Sequence, residues 1–438
     1  MTVDRVRLAA VKAVDRIRRE RADARESVLL QAQAYSLDPR DLSFLQALVF
    51  GVTERLTELE FRLRRFIDRK PDPYTMAILL CGAYQILYMD RVPDSAACNE
   101  SVTLVRKSRN PKAAGMVNAV LRRVSAEKEL PWIRRSSFET AEAYLAVRYS
   151  VPQYVAASLV RQHGEAFADA CLAQMYARSE LPLRANTLRI SPGELAERTG
   201  ALPMKHAPYG LLLAGSGEIT AHEGFEEGLW FVQDEAAQLA VLAAGVKPGT
   251  VVVDACAAPG GKTLGMAMDM ENRGSIHSFD VDEEGLEKLC ASALRLGINC
   301  VTANKASSLE KIEVLVDAAD TVFCDVPCSG FGVMGKKPDI RLKPYDEVKH
   351  LPAKQLAILE NVSRYVRPGG TLLYATCTVL SEENEQVREA FLRKHTEFSP
   401  ASFELPGFNL CDQLTFFPHL HGTDGFYIAK FIRKRCEA

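Results

Sequence analysis

The chain reads as a multidomain protein: an all-α front, a mixed α+β middle and an α/β back built on a parallel, doubly wound sheet. Three observations predict this. Apolar residues recur at helical spacing through residues 1–125. Short apolar runs alternate with helical segments through residues 236–438. Several of those runs close on Asp or Cys beside a turn, where open α/β sheets place their ligands.

The composition is that of an ordinary soluble protein, with 47% hydrophobic and 25% charged residues among 438. No apolar run reaches membrane-spanning length, and the amino terminus lacks a signal peptide's apolar core. The 11 cysteines are scattered, with no CxxC pair for zinc and no small disulfide framework. A cytoplasmic, reduced, metal-free protein with no membrane contact is expected, acting as a monomer. The net charge of −2 is unevenly spread, because residues 1–150 carry 26 Lys and Arg against 19 Asp and Glu. From charge alone, such a front suits a nucleic-acid backbone or a merely solvated face equally.

The helical front begins with Val6, Ala10, Ala13, Val14 and Ile17 on one face. It continues over Leu42–Ile67 with Leu45, Leu48, Val49, Val52, Leu56, Leu59 and Leu63. Pro71-Asp72-Pro73 punctuates, and Tyr74–Tyr88 follows as a strongly apolar, central helix. A segment from Pro93, the basic connector Arg106–Lys112, and Met116–Val124 complete the unit. In the middle, Gln153–Met175 reads as helical, Leu181–Arg189 alternates as a strand, and Pro203–Gly228 suggests short strands and turns. On residues alone, Arg184 and Asn186 belong to an exposed strand face.

In the back, strands are expected at Val251–Asp254, Ser275–Asp280, Cys300–Ala303, Thr321–Asp325 and Leu372–Ala375. Phe426–Phe431 closes the sheet in a hairpin with the Leu414–Phe417 region. Domain boundaries are expected at 1–130, 131–235 and 236–438.

The loop Asp254-Ala255-Cys256-Ala257-Ala258-Pro259-Gly260-Gly261-Lys262-Thr263 follows the first of these strands and opens a helix. Small residues there let main chain approach a ligand, and the helix start favours negative charge. Asp280 ends the next strand, where a carboxylate can grip two ribose hydroxyls. This arrangement serves NAD or S-adenosylmethionine. The loop is neither GxGxxG nor a P-loop, and Pro259 removes an amide from any pyrophosphate cradle, so S-adenosylmethionine fits better.

Two strand ends carry thiols: Asp325-Val326-Pro327-Cys328 and Thr376-Cys377. A lone buried cysteine is usually core, and Cys290, Cys300 and Cys324 are read that way. Two at matching strand ends behind a cofactor loop point to covalent chemistry. On residues alone, Cys328 and Cys377 are interchangeable in role.

These motifs, with Lys337-Pro338-Asp339-Ile340-Arg341, Leu183-Arg184-Ala185-Asn186-Thr187, Val232-Gln233-Asp234-Glu235-Ala236 and Asp424-Gly425-Phe426, resemble the Nol/Nop/Sun RNA cytosine-5 methyltransferases. Ala83–Tyr88, Val92-Pro93, Asn99–Val102 and Val117–Arg122 resemble a NusB-type helical RNA-binding domain. Together they resemble the branch of that family that methylates small-subunit ribosomal RNA. The resemblance implies a NusB-like domain, a small α+β RNA-binding linker and a Rossmann-like, S-adenosylmethionine-dependent catalytic domain.

It implies Cys256, Ala257, Ala258, Pro259, Gly260, Gly261, Lys262, Asp280 and Asp325 as cofactor contacts. Cys377 is the implied nucleophile towards cytosine carbon 6 and Cys328 the thiol assisting release. On chemical grounds Asp325 is expected to hold the base's N3 and exocyclic amine, either protonated or sharing a proton with N3. Lys262 is expected either to orient the site electrostatically or merely to cap and solvate it. The substrate expected is 16S ribosomal RNA, with its cytosine single-stranded or flipped out, and Arg184 and Lys337 are expected RNA contacts. The chain departs from the family at Asn304-Lys305, where an acid usually follows the third strand. That departure keeps open a second reading, a catalytically weakened RNA-binding or ribosome-assembly factor.

Overall fold

The computed structural model describes residues 3–176, 180–214 and 219–435. These fall into two compact units: the residues up to Tyr176 together with Met334–Tyr345, and the remainder. The expected middle segment 131–235 is thereby shared between them, its helices up to Ala173 in the first unit and its strands, with the helix Pro192–Thr199, in the second.

The first unit is helical: α1 (Arg5–Glu20), α2 (Ala24–Tyr35), α3 (Pro39–Glu54), α4 (Leu56–Arg64), α5 (Pro73–Tyr88), α6 (Asp94–Arg106), α7 (Ala114–Ala126), α8 (Ala141–Arg148), α9 (Gln153–His163) and α10 (Glu165–Ala173). Asp4, Asp23, Asp38 and Asp72 cap four of these helices, each accepting from an amide in the first turn. Such a cap is worth about 1 kcal/mol. The apolar α5 is the centre of the bundle, buried from Thr75 to Ala83 and packed by α1, α3, α6 and α7.

The stretch Leu42–Ile67 is two helices, because Arg55 leaves helical geometry (φ −114°, ψ 21°) and stacks on Tyr88 and Tyr176. Gly164 (φ 86°) likewise divides Gln153–Met175. The segment Met334–Tyr345, with a 3-10 turn over Pro338–Leu342, is held in this unit by Arg341. Its buried guanidinium donates to the Tyr149 (2.7 Å) and Met175 carbonyls and lies over the Tyr176 ring. Lys337 is exposed.

The second unit opens with a small antiparallel sheet of β1 (Leu181–Ala185), β2 (Leu202–Pro203), β3 (Gly210–Leu213) and β4 (Trp230–Val232), in the order β2-β3-β1-β4. The helix α11 (Pro192–Thr199) closes its core over Leu183, Leu211 and Trp230. Residues 215–218 of the expected turn-rich passage lie outside the described residues.

Here two expectations fail. Arg184 and Asn186 are not on an exposed face, and Arg184 is no RNA contact: both are fully buried. Arg184 donates to Asp269 (2.6 Å) and to the Gly265 carbonyl, and Asn186 donates to the Gly228 and Leu296 carbonyls. Their donors tie the small sheet to the helices of the large one.

The large sheet runs β10-β12-β9-β8-β5-β6-β7, with β11 beyond β12. Its strands are β5 (Val251–Asp254), β6 (Ser275–Asp280), β7 (Val301–Lys305), β8 (Ala319–Asp325), β9 (Val366–Thr376), β10 (Phe398–Pro400), β11 (Gln413–Phe416) and β12 (Phe426–Arg433). β7, β6, β5, β8 and β9 are parallel, and β12 adds antiparallel to β9 and to β11 as the expected hairpin. Helices α12 (Glu235–Ala244), α13 (Gly261–Asp269) and α14 (Glu283–Leu296) cover one face. The chain leaves β5 towards β6 and returns on its other side through β8. That reversal opens a crevice at the carboxyl ends of β5 and β8.

Cys290 is not core. The buried face of α14 is Leu286, Leu289, Ala293 and Leu296, and position 290 falls one residue off it, exposed.

Candidate active site

The loop after β5 is fastened by its own main chain. The amides of Ala255, Ala257 and Ala258 donate to the Phe323 carbonyl (2.9 Å), the Phe279 carbonyl (3.0 Å) and Asp280 Oδ2 (2.9 Å). Asp280 also accepts from the Asp282 amide through Oδ1 (3.0 Å), leaving it only part of its acceptor capacity for a ligand. Gly260 must be glycine: its φ is +106°, and a Cβ would lie 2.4 Å from Leu289 Cδ1.

Between this loop and the end of β8 lies a cavity of about 200 Å³. Cys256, Ala257, Ala258, Pro259, Gly261 and Lys262 line it from the loop, with Asp325 across from them. Gly260 and Asp280 adjoin this lining, Asp280 through the Ala258 amide. Gln233 and Asp234, at the start of α12, complete it. The sequence motif containing them was visible, but nothing local marks either one as facing a ligand.

Small residues, acidic groups and no phosphate-binding nest make a wall that suits a cationic nucleoside such as S-adenosylmethionine. The exposed Asn304 and Lys305 are not part of it. The Lys305 ammonium pairs with Glu283 (2.6 Å) on the surface.

Lys262 reaches from the first turn of α13 to Asp325 Oδ2 (2.5 Å) and sits over the Phe426 ring. Burial works to lower the ammonium's pKa, but Asp325, with a smaller contribution from Cys377, outweighs it and holds the proton more firmly than usual. Lys262 is therefore no mere cap. Asp325, expected to hold the base, is paired with the Lys262 ammonium. Beneath it, burial pushes Asp254 up to about 7, against the Thr263 hydroxyl (2.5 Å) that favours the ionised form.

The two strand-end thiols meet. Cys328 Sγ and Cys377 Sγ lie 3.0 Å apart, and neither is in a disulfide. The loops that bring them together are tied through main chain: the Gly332 amide donates to the Cys377 carbonyl (3.0 Å), and the Gly425 amide to the Gly332 carbonyl (3.0 Å). A Cβ on Gly332 would lie 1.9 Å from the Gly425 oxygen.

A buried polar network supports them from below. Glu383 Oε2 accepts from the Ser329 amide (2.9 Å) and Gln355 Nε2 (2.8 Å), and Gln355 also donates to the Pro327 carbonyl (3.1 Å). Ser329 and Thr378 join their hydroxyls (2.9 Å). Sequence reading missed Glu383 and Gln355; the acidic run Ser381–Glu385 looks like a solvated turn until it is folded. The Cys328 thiol is held well above its ordinary pKa, first by its hydrogen bond with Cys377 and then by burial.

Among the described residues no group of three or more His, Cys, Asp or Glu is placed to hold a metal ion. No described helix is long and apolar enough to cross a membrane.

Comparison with known proteins agrees in both units. Residues 241–432 match the family model of 16S rRNA methyltransferase RsmB/F, and residues 4–126 match the NusB family. A probable ribosomal RNA small subunit methyltransferase B of Synechocystis sp. is 33% identical over 91% of this chain and 92% of its own length. Its namesake in Bacillus subtilis is 31% identical over 98% of this chain and 99% of its own. The crystal structure of a methyltransferase homologue from Pyrococcus horikoshii matches with a TM-score of 0.58 at 30% identity, over 68% of this chain and all of that one.

Proposed function

The chain belongs to the RsmB/F family of 16S rRNA methyltransferases, and on that premise we propose that it methylates carbon 5 of a cytosine through a covalent adduct of Cys377. It is an S-adenosylmethionine-dependent rRNA methyltransferase. The observation that carries the finer reading is the pair of sulfurs 3.0 Å apart beside the Lys262–Asp325 ion pair.

Cytosine carbon 5 is a weak nucleophile. Addition of the Cys377 thiolate to carbon 6 pushes electrons into the ring towards carbon 5 and N3, and splits one hard step into easier ones. The Lys262–Asp325 pair sits where it can deliver a proton to N3 as charge develops there. The loop Cys256–Lys262, Asp280 and Asp325 would hold S-adenosylmethionine, which would supply the methyl group of its sulfonium to the activated carbon and leave as S-adenosylhomocysteine.

The assignment of Cys377 as the attacking thiol and Cys328 as the thiol of release is carried by the family resemblance. The Cys328 thiol is held up by its hydrogen bond with Cys377 and by burial, and Lys262 interacts electrostatically with Cys377. Once Cys377 is bonded to carbon 6, its hydrogen bond and charge no longer raise Cys328, which gives its proton to solvent. Cys328 then takes the carbon-5 proton, the C5–H electrons form the C5=C6 bond, the C6–S electrons return to Cys377, and the N3 proton goes back to the Lys262–Asp325 pair. The target base must be single-stranded or flipped from its stack to reach these thiols, with the basic helical unit and Lys337 as RNA contacts.

The test is methyl transfer from radiolabelled cofactor to 16S rRNA lacking its own marks. Cys377→Ala should lose turnover by 10³-fold or more, roughly the scale on which a nucleophile matters. Cys328→Ala should accumulate a protein–RNA adduct on denaturing gels. Full activity of Cys377→Ala would end the proposal.

A further inference from the structure

Gln233 follows β4 and precedes α12, on the wall of the cofactor cavity. Its backbone is held from two sides, the amide donating to the Pro182 carbonyl (3.1 Å) and the carbonyl accepting from Gln238 Nε2 (3.0 Å). Its side-chain Nε2 donates to the Gly261 carbonyl (2.9 Å). That bond decides which end of the amide is which, since turning it over would set two oxygens against each other. The other end, Oε1, is then a buried acceptor with no partner, in a residue only 5% exposed. A buried amide oxygen left without a donor is costly, so a ligand that donates to it is the natural complement.

Asp234 lines the same wall beside it, and an amide oxygen next to a carboxylate favours a donor that is also a cation. S-adenosylmethionine offers an adenine amino group, two ribose hydroxyls and one α-ammonium, and the last alone among these donors is charged. Asp280, at the end of the neighbouring strand, is the group suited to the ribose. We infer that Gln233 Oε1, with Asp234 beside it, receives the α-ammonium of the cofactor's amino-acid arm. The inference rests on S-adenosylmethionine as cofactor and is independent of which thiol attacks. Because the product S-adenosylhomocysteine keeps the same arm, the contact binds cofactor and product alike and does not lower the chemical barrier.

Calorimetry with two ligands reads this directly: S-adenosylhomocysteine, and 5′-deoxy-5′-methylthioadenosine, which has the nucleoside and the sulfur but no amino-acid arm. Gln233→Met should weaken S-adenosylhomocysteine roughly 10- to 100-fold, the worth of a hydrogen bond to a charged group, and leave methylthioadenosine unchanged. Gln233→Glu keeps an acceptor and should keep the preference for the ligand with the arm. An equal loss for both ligands in Gln233→Met would mean the residue acts through Gly261 and overturns the inference, as would no loss for either. Failure of the wild-type chain to bind either ligand would strike at the cofactor itself, a result distinct from any pattern among the variants.

Discussion

The two ends of the crevice are built differently. At the carboxyl ends of β5 and β6, the loop is fixed mainly by main chain. Its amides are spent on neighbouring carbonyls and on Asp280, and one position, Gly260, admits no side chain. At the ends of β8 and β9, the thiols stand on a layer of buried side chains, Ser329, Gln355, Thr378 and Glu383. The contrast suits the tasks. A cofactor wall needs a shape, which backbone supplies cheaply in entropy. Two sulfurs that act in turn on one base, as proposed, need fixed distances, which a satisfied polar network enforces.

The sharpest way to break this comparison is Gly332→Ala, which drives a Cβ into the Gly425 carbonyl, 1.9 Å away, and crowds the Cys377 carbonyl at 2.9 Å. A displacement near 1 Å at the reacting groups costs about 100-fold in turnover. Cofactor affinity by calorimetry should be unchanged; a parallel loss of binding would show that the two ends are not separable.

Glu383→Ala leaves the Ser329 amide and Gln355 without their acceptor. Unfolding stability should fall by about 1–3 kcal/mol, measured by denaturant titration, and turnover by roughly 10-fold as Cys328 loses its footing. Stability equal to the parent would mean the network is ornamental.

Asp254 is a buried carboxylate under the cofactor end, with Oδ1 lacking a partner. Because its folded pKa, about 7, lies above the unfolded value of 3.8, the folded state binds more protons than the unfolded one across that window. Its contribution to stability is greatest below the unfolded value, falls as pH rises to about 7 and is level above, at roughly 1.4 kcal/mol per pH unit at most. Asp254→Asn does not titrate, so its stability relative to the parent should rise between pH 4.5 and 7.5, with little change in turnover. A constant difference would contradict the burial argument.

The smallest effect is expected of Asn304→Asp, which restores the family's acid at an exposed position. Cofactor affinity should change by less than about fivefold, the scale of an exposed charge.

Much of this was legible along the chain. The second strand of the large sheet falls on Ser275–Asp280 as read, the hairpin at the carboxyl terminus is where the pattern put it, and Cys328 and Cys377 were singled out by their strand-end positions. These signals are local: side-chain period, glycine at a positive φ, a carboxylate or thiol at the end of an apolar run. The NusB-like helices were legible for the same reason, through the spacing of their apolar residues, whereas their aspartate caps emerged only in the fold.

Only the tertiary structure decided which polar residues are inside. Arg184 looked like a surface cation until Asp269, 85 residues away, met it in the core. Glu383 looked like part of an acidic turn until Ser329, 54 residues back, lent it an amide. Gln233 became a cofactor contact candidate through Gly261. The period of a strand or helix is written in consecutive residues, whereas the desolvation and pairing of a polar group depend on partners that the chain brings from far away.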